Sequence, residues 1–299
     1  MEAKEKETLI NTLKAFTSFC DKHNLTYYAV AGTCLGAIRH KGIIPWDDDI
    51  DVAMPRKDYD KLLALRGELK GTGHELVNLG DRSKDSGDYI LPYAKFCDAN
   101  TTIWEQKNNQ VIFGVFVDVF PFDNAGNIST AKSLMREYSK KVSKYTKSIR
   151  KWTLGELIDD IRKVHLKLVL SWFFNKYVRS LRAKHYHEEV LAIEETIKMQ
   201  QGDNYLCYCG YYPIEKEIVP KSFFGKGVEV PFEDTKIVVP EHYEDYLVHM
   251  YNNWQTPPPP EQRITHHYCY FRDLDRRWTI DEVLKLGIKD QQEIDYTYE

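Results

Sequence analysis

Cysteine is sparse and badly spaced for a structural role. The 299 residues hold six (Cys20, Cys34, Cys97, Cys207, Cys209 and Cys269). None form a Cys-x-x-Cys pair, and Cys207-x-Cys209 is too tight for a usual zinc knuckle. A disulfide scaffold is therefore not expected, and the thiols read as reduced and cytoplasmic. Long hydrophobic runs are also missing. Nothing approaches the roughly 18 apolar residues that a membrane-spanning helix needs. The opening Met-Glu-Ala-Lys-Glu-Lys-Glu has no apolar core of the kind found in signal peptides. No internal repeat is visible, which argues against a solenoid. The expectation is a cytoplasmic globular protein, long enough for a substantial core at 42% hydrophobic and 29% charged residues.

Net charge is small, −4, but unevenly divided. Residues 132–184 carry 15 Lys and Arg against 4 Asp and Glu, an excess of +11, so the remainder sums to −15. A basic block in an acidic chain suggests a separate element that meets an anionic partner. No nucleic-acid partner is expected. The inner face of the plasma membrane is the candidate surface. Val164 to Val178 is apolar, with Trp172, Phe173 and Phe174 among Lys167, Asn175 and Lys176. It is too short and polar to span a bilayer. It suits either a helix lying on an anionic membrane or a helix packed on the core with a solvated basic face.

The chemistry concentrates between Val30 and Pro55. A strand is expected over Tyr27–Ala31, then a glycine turn (Gly32, Thr33), a short helix, a basic step (Arg39, His40, Lys41) and a second strand that begins in acid. Asp49 and Asp51 are two apart, so on an extended strand their carboxylates share a face while Ile50 and Val52 point into a core. Two adjacent carboxylates repel each other without a cation. A hard, oxygen-seeking divalent ion is the natural occupant, and a glycine turn beside it lets a phosphate approach the backbone. Asp47 and Asp48 read as turn-shaping or supporting neighbours. A third carboxylate, Asp118, lies mid-way along the apolar run Gly114–Asp123. A charge inside a buried strand is costly unless paired or metal-bound, so Asp118 is the candidate third ligand. Asp123, after Pro121, reads as a turn or cap residue.

Elsewhere the spacing of Leu9, Leu13, Phe16 and Cys20 predicts an amphipathic helix over 2–23. A second helix is expected over 56–70, closed by Gly71 and Gly73. Strands are expected over 76–79, 89–97 and 101–104, and 205–212 is strand-like. A hairpin is expected over 228–240, turning at Glu233-Asp234, followed by a helix over 241–251. The fold class expected is α+β, a mixed sheet flanked by helices. Residues 1–128 and 201–299 would form the core and 129–200 a basic helical insertion. Lys95 is read two ways, as a phosphate ligand or as a solvated lysine.

Gly32-Thr33, Leu35-Gly36-Ala37-Ile38-Arg39-His40-Lys41-Gly42 and Pro45-Trp46-Asp47-Asp48-Asp49-Ile50-Asp51 resemble the LicD family. These are phosphotransferases with a nucleotidyltransferase-like fold, related to fukutin and fukutin-related protein. The likeness continues at Phe116-Val117-Asp118-Val119-Phe120-Pro121 and at Pro258 to His267. Where the family usually has Tyr-Gly-Asp before the prolines, this chain has Tyr251-Asn252-Asn253. The resemblance implies a CDP-choline or CDP-ribitol donor and a glycan hydroxyl as acceptor, on a lipid-linked glycan among others, with CMP released. Asp49, Asp51 and Asp118 would then hold one or two Mg²⁺ or Mn²⁺ ions, and Asp118 would orient or deprotonate the attacking hydroxyl. Gly32, Thr33, Arg39 and His40 would face the phosphates. Of His266 and His267, at most one would enter the site. The alternatives are an NTP-dependent nucleotidyltransferase that liberates pyrophosphate, a nucleotide-sugar glycosyltransferase that also uses Asp-x-Asp, and a non-catalytic membrane-surface scaffold.

Overall fold

Apolar residues at three- and four-residue steps produce the first helix, α1 (Ala3–His23), which buries Leu9, Leu13, Phe16 and Cys20. The computed structural model describes residues 1–105, 110–149, 178, 180–263 and 269–288. After α1 come β1 (Tyr28–Ala29), α2 (Ala31–Arg39), β2 (Asp51–Pro55), α3 (Arg56–Ala64), β3 (His74–Val77) and two short strands, β4 (Arg82–Ser83) and β5 (Gly87–Asp88). Then follow β6 (Ala94–Asp98), β7 (Thr102–Trp104) and the longest strand, β8 (Phe116–Asn124). Two long helices, α4 (Ile128–Ile149) and α5 (Ala183–Lys198), precede β9 (Asn204–Leu206), α6 (Ile214–Glu217) and β10 (Ile218–Pro220). The chain continues through β11 (Val228–Phe232), β12 (Thr235–Val239), α7 (Tyr243–Tyr251), β13 (Phe271–Asp273) and α8 (Ile280–Lys285).

The main sheet runs β1-β2-β8-β6-β3, with β9 on the far end of β8 and β10 beside β9. Only β2 and β8 are parallel among these pairs, so the sheet is mixed and helices flank it. Phe16 of α1 meets Phe96 of β6 edge-on, with ring centroids 5.6 Å apart. One large core joins residues from both ends of the chain, Leu9 through Phe122 with Cys207 through Cys269. Pro121, in a central strand, costs no ladder bond. Pairing of β8 with β6 ends at Val119 and pairing with β9 starts at Asp123, so the missing N–H falls in the gap between them.

Helices α4 and α5 pack on each other and form a cluster of their own, with Leu134, Tyr138, Val142, Val190, Ile193 and Ile197. Among the described residues, no helix is long and apolar enough to cross a membrane. Residues 164–177 of the aromatic basic stretch lie outside the described residues, as do His266 and His267. The hairpin falls where expected, with Glu233 at φ 52° in its turn. The first glycine step differs from expectation. Gly32 and Thr33 lie inside the first turn of α2, and the positive φ is taken by Ala31, at 46°.

Candidate active site

The parallel register of β2 with β8 sets Asp51 beside Asp118, and the antiparallel register of β8 with β6 sets Asp118 beside Lys95. Registered residues on neighbouring strands project to the same face, so the three form one row across the sheet. Ile50 and Val52 are fully buried on the opposite side, as their alternation with Asp51 requires. Asp49 precedes the paired part of β2, yet one carboxylate oxygen from each of Asp49, Asp51 and Asp118 lies within 4.8 Å of the others. Asp47, Asp48 and Asp49 make a second such trio.

Asp118 is 6% exposed, and its Oδ1 forms an ion pair with the Lys95 ammonium at 2.8 Å. Burial pushes the Asp118 carboxyl up to about 7, against the pull of Lys95, and Glu105 and Asp49 add to the rise. A buried carboxylate beside two more, with one oxygen of each within reach of a single point, is the donor set of a hard divalent cation. These residues fit one.

Lys95 is 1% exposed, so it is not a solvated lysine. Its ammonium sits 3.1 Å from the Phe116 ring centroid and 3.8 Å from Glu105. Thr33 is tied to the acidic strand, since its Oγ1 accepts the Asp51 N–H at 2.7 Å. That bond fixes the first turn of α2 against β2. The α2 N-cap, Val30, makes no side-chain capping bond, and the first N–H of the helix, that of Ala31, donates to the Tyr246 hydroxyl at 2.9 Å. Gly36 has a packing reason to be glycine, because a Cβ there would lie 2.5 Å from the Gly42 carbonyl oxygen. That close approach folds the 36–44 segment back, and it returns the chain to the carboxylates.

Arg39 and His40 end α2 beside a part of the site that spacing alone did not disclose. Arg39 donates from Nη1 to the Trp254 carbonyl at 2.8 Å. The His40 ring meets Trp46 edge-on at 5.9 Å, and the Arg263 guanidinium lies 5.2 Å from the Trp46 ring centroid. Arg263 was legible only as part of the proline-rich motif. Where the family resemblance calls for glycine, Asn252 caps α7 with φ 55°, a value that asparagine tolerates better than most residues. Asp123 is not a turn or cap residue. It is buried and receives two hydrogen bonds from Arg56, Nε to Oδ1 at 2.8 Å and Nη2 to Oδ2 at 2.6 Å.

Residues 24–157 match the LicD/FKTN/FKRP nucleotidyltransferase-domain family. The chain carries a LicD-family domain. It is 28% identical over 259 residues to the lipopolysaccharide cholinephosphotransferase LicD of Haemophilus influenzae, covering 86% of this chain and 92% of that protein. An uncharacterised protein of Rickettsia typhi is 33% identical over 144 residues, which is 42% of this chain and 46% of the relative. The LicD-family match contains the β2 and β8 carboxylates together with Lys95, and the mixed sheet is that of a nucleotidyltransferase-like domain.

Proposed function

We propose that this protein is a cation-dependent phosphotransferase that moves phosphocholine from CDP-choline to a glycan hydroxyl, releasing CMP. The convergence of Asp49, Asp51 and Asp118 from β8 and the segment entering β2 is the observation that carries the reading. The similarity to a lipopolysaccharide cholinephosphotransferase over most of both chains supports the choline and glycan assignments. Those three carboxylates would hold Mg²⁺ or Mn²⁺, which supplies positive charge to the phosphates of the donor. The N–H groups of Gly32 and Thr33, in the first turn of α2, would supply a helix terminus to the phosphates. Arg39 and His40 extend the positive surface. Asp118 accepts the proton of the acceptor hydroxyl, whose oxygen bonds to phosphorus as the bond to the CMP oxygen breaks. Lys95 keeps Asp118 aimed into the site from below.

Incubation of the protein with CDP-choline, Mn²⁺ and a lipopolysaccharide acceptor should release CMP and leave phosphocholine on the glycan. Release of pyrophosphate from an NTP, with no CMP from any CDP-alcohol, would favour the nucleotidyltransferase reading instead.

A peripheral membrane contact fits the same chemistry, because such an acceptor is lipid-linked. Helix α4 turns Arg136, Lys140, Lys144 and Lys147 to one exposed side. Basic side chains near an anionic surface contribute about 1 kcal/mol each. The protein should therefore sediment with phosphatidylglycerol vesicles at low salt and detach above roughly 0.5 M salt, where screening is severe. Binding that ignores salt would rule out this contact.

A further inference from the structure

Beside the carboxylates lies a cluster of the opposite sign. Arg39 and Arg263 are each anchored by one N–H to a backbone carbonyl of the same 254–263 segment, Trp254 at 2.8 Å and Pro258 at 2.9 Å. Between them stand His40, whose Nδ1 is 3.4 Å from the Arg39 Nε, and the Trp46 indole, which the Arg263 guanidinium faces. Among the described residues neither guanidinium has a carboxylate partner within ion-pair distance. Burial lowers both the Arg39 guanidinium and the His40 imidazole, and the nearby Arg263 charge adds a smaller push in the same direction. Trp254 adds an unmet donor, since its indole N–H is buried and has no acceptor among the described residues. Two like charges held together, partly buried, and without a carboxylate partner among the described residues form a receptor for an anion with several oxygens. The chain places it next to the cation site, because Trp46 immediately precedes Asp47, Asp48 and Asp49.

We propose that Arg39 and Arg263, spaced by Trp46, form a cation-independent subsite for the phosphate of the nucleoside monophosphate that leaves. The nucleotide identity rests on the transferase reading above, whereas the binding of a phosphate does not. The carboxylate row and the guanidinium pair then divide a diphosphate between them. The phosphoryl group to be transferred lies over Asp49, Asp51 and Asp118, and the phosphate that departs lies over the two arginines. Arg39 and Arg263 touch the donor and do not exchange protons with it.

The test is isothermal titration of the whole protein with CMP and with pyrophosphate in excess EDTA, with cytidine as the uncharged control. Both phosphates should bind, and cytidine should not. Arg263→Gln and Arg39→Gln should each weaken CMP by about tenfold or more, the scale of a lost charge-assisted hydrogen bond pair. Arg263→Lys should lose less, and Asp51→Asn should bind CMP as tightly as the parent or more tightly. Absence of binding of both CMP and pyrophosphate to the parent protein in EDTA would overturn the subsite, as would parent-like affinity in both glutamine variants. Pyrophosphate binding without CMP binding would overturn the nucleotide assignment. Melting curves identify a variant that fails to fold, and the parent titration stands without it. Failure of the transferase reading looks different, because CMP release from CDP-choline is then absent while phosphate binding in EDTA persists.

Discussion

Asp51→Asn should lower choline-phosphate transfer by about 10³-fold, the rate equivalent of losing several kcal/mol of charge stabilisation on the phosphates. Asparagine keeps the size of the side chain, the β2 pairing and the backbone N–H that Thr33 accepts, so the change is one of charge. A second readout separates lost chemistry from lost fold. Mn²⁺ at about 100 times its Kd should stabilise the parent protein by about 2.7 kcal/mol, which is roughly 5–10 °C in Tm for a chain of this size. That rise should shrink or vanish in Asp51→Asn, while a cooperative melt of the variant in EDTA shows that it is folded. The pH dependence follows from Asp118. Burial raises its carboxyl to about 7 in the folded cation-free protein, above the usual carboxylate value of 3.8. The folded state therefore holds the proton more tightly, and the associated stability is complete below about 4 and is lost as pH rises through 7. The gain from Mn²⁺ should accordingly be larger at pH 8 than at pH 6. Transfer within threefold of the parent in Asp51→Asn would dismiss the carboxylate centre as the site of chemistry.

Much of this site could be read from the chain because it depends on local alternation. Ile50, Asp51 and Val52 declare by their order which side is core and which is acidic, and Asp118 stands out as one charge in an apolar run. The hairpin at 228–239 is likewise local, with strands of matched length on either side of Glu233-Asp234. What could not be read was the partner across space. Lys95 becomes an ion-pair partner only because β6 and β8 align it with Asp118, and no spacing in the sequence encodes that register. Arg56 and Asp123 lie 67 residues apart, and a proline two positions before Asp123 made a turn the local expectation. Gly32 was legible as a special backbone position, but the tertiary fold moved the left-handed residue to Ala31, whose N–H donates to the Tyr246 hydroxyl at 2.9 Å. Arg263 meets Trp46 only through the return of the C-terminal segment to the 40–49 loop.

Arg56→Met should destabilise the protein by about 3–5 kcal/mol, the usual consequence of leaving one member of a buried ion pair without its partner. Asp123 is 1% exposed at the side chain and Arg56 17%, and both guanidinium-to-carboxylate bonds are short and directed. At roughly 2–4 °C per kcal/mol, the Tm should fall by about 10 °C. The double replacement Arg56→Met with Asp123→Leu should recover most of that loss, because the desolvated charge disappears with its partner. The pair also bears on the chemistry through position. Arg56 follows the last residue of β2, and Asp123 lies one residue beyond Phe122, which pairs with Pro55. Together they fasten the far end of the β2–β8 ladder whose near end aligns Asp51 with Asp118. A slip of one residue along that ladder would turn Asp51 to the opposite face of the sheet. The double variant should therefore regain stability yet bind Mn²⁺ less tightly than the parent, and parent-like Mn²⁺ affinity would show that β2 and β8 hold their register without this clamp.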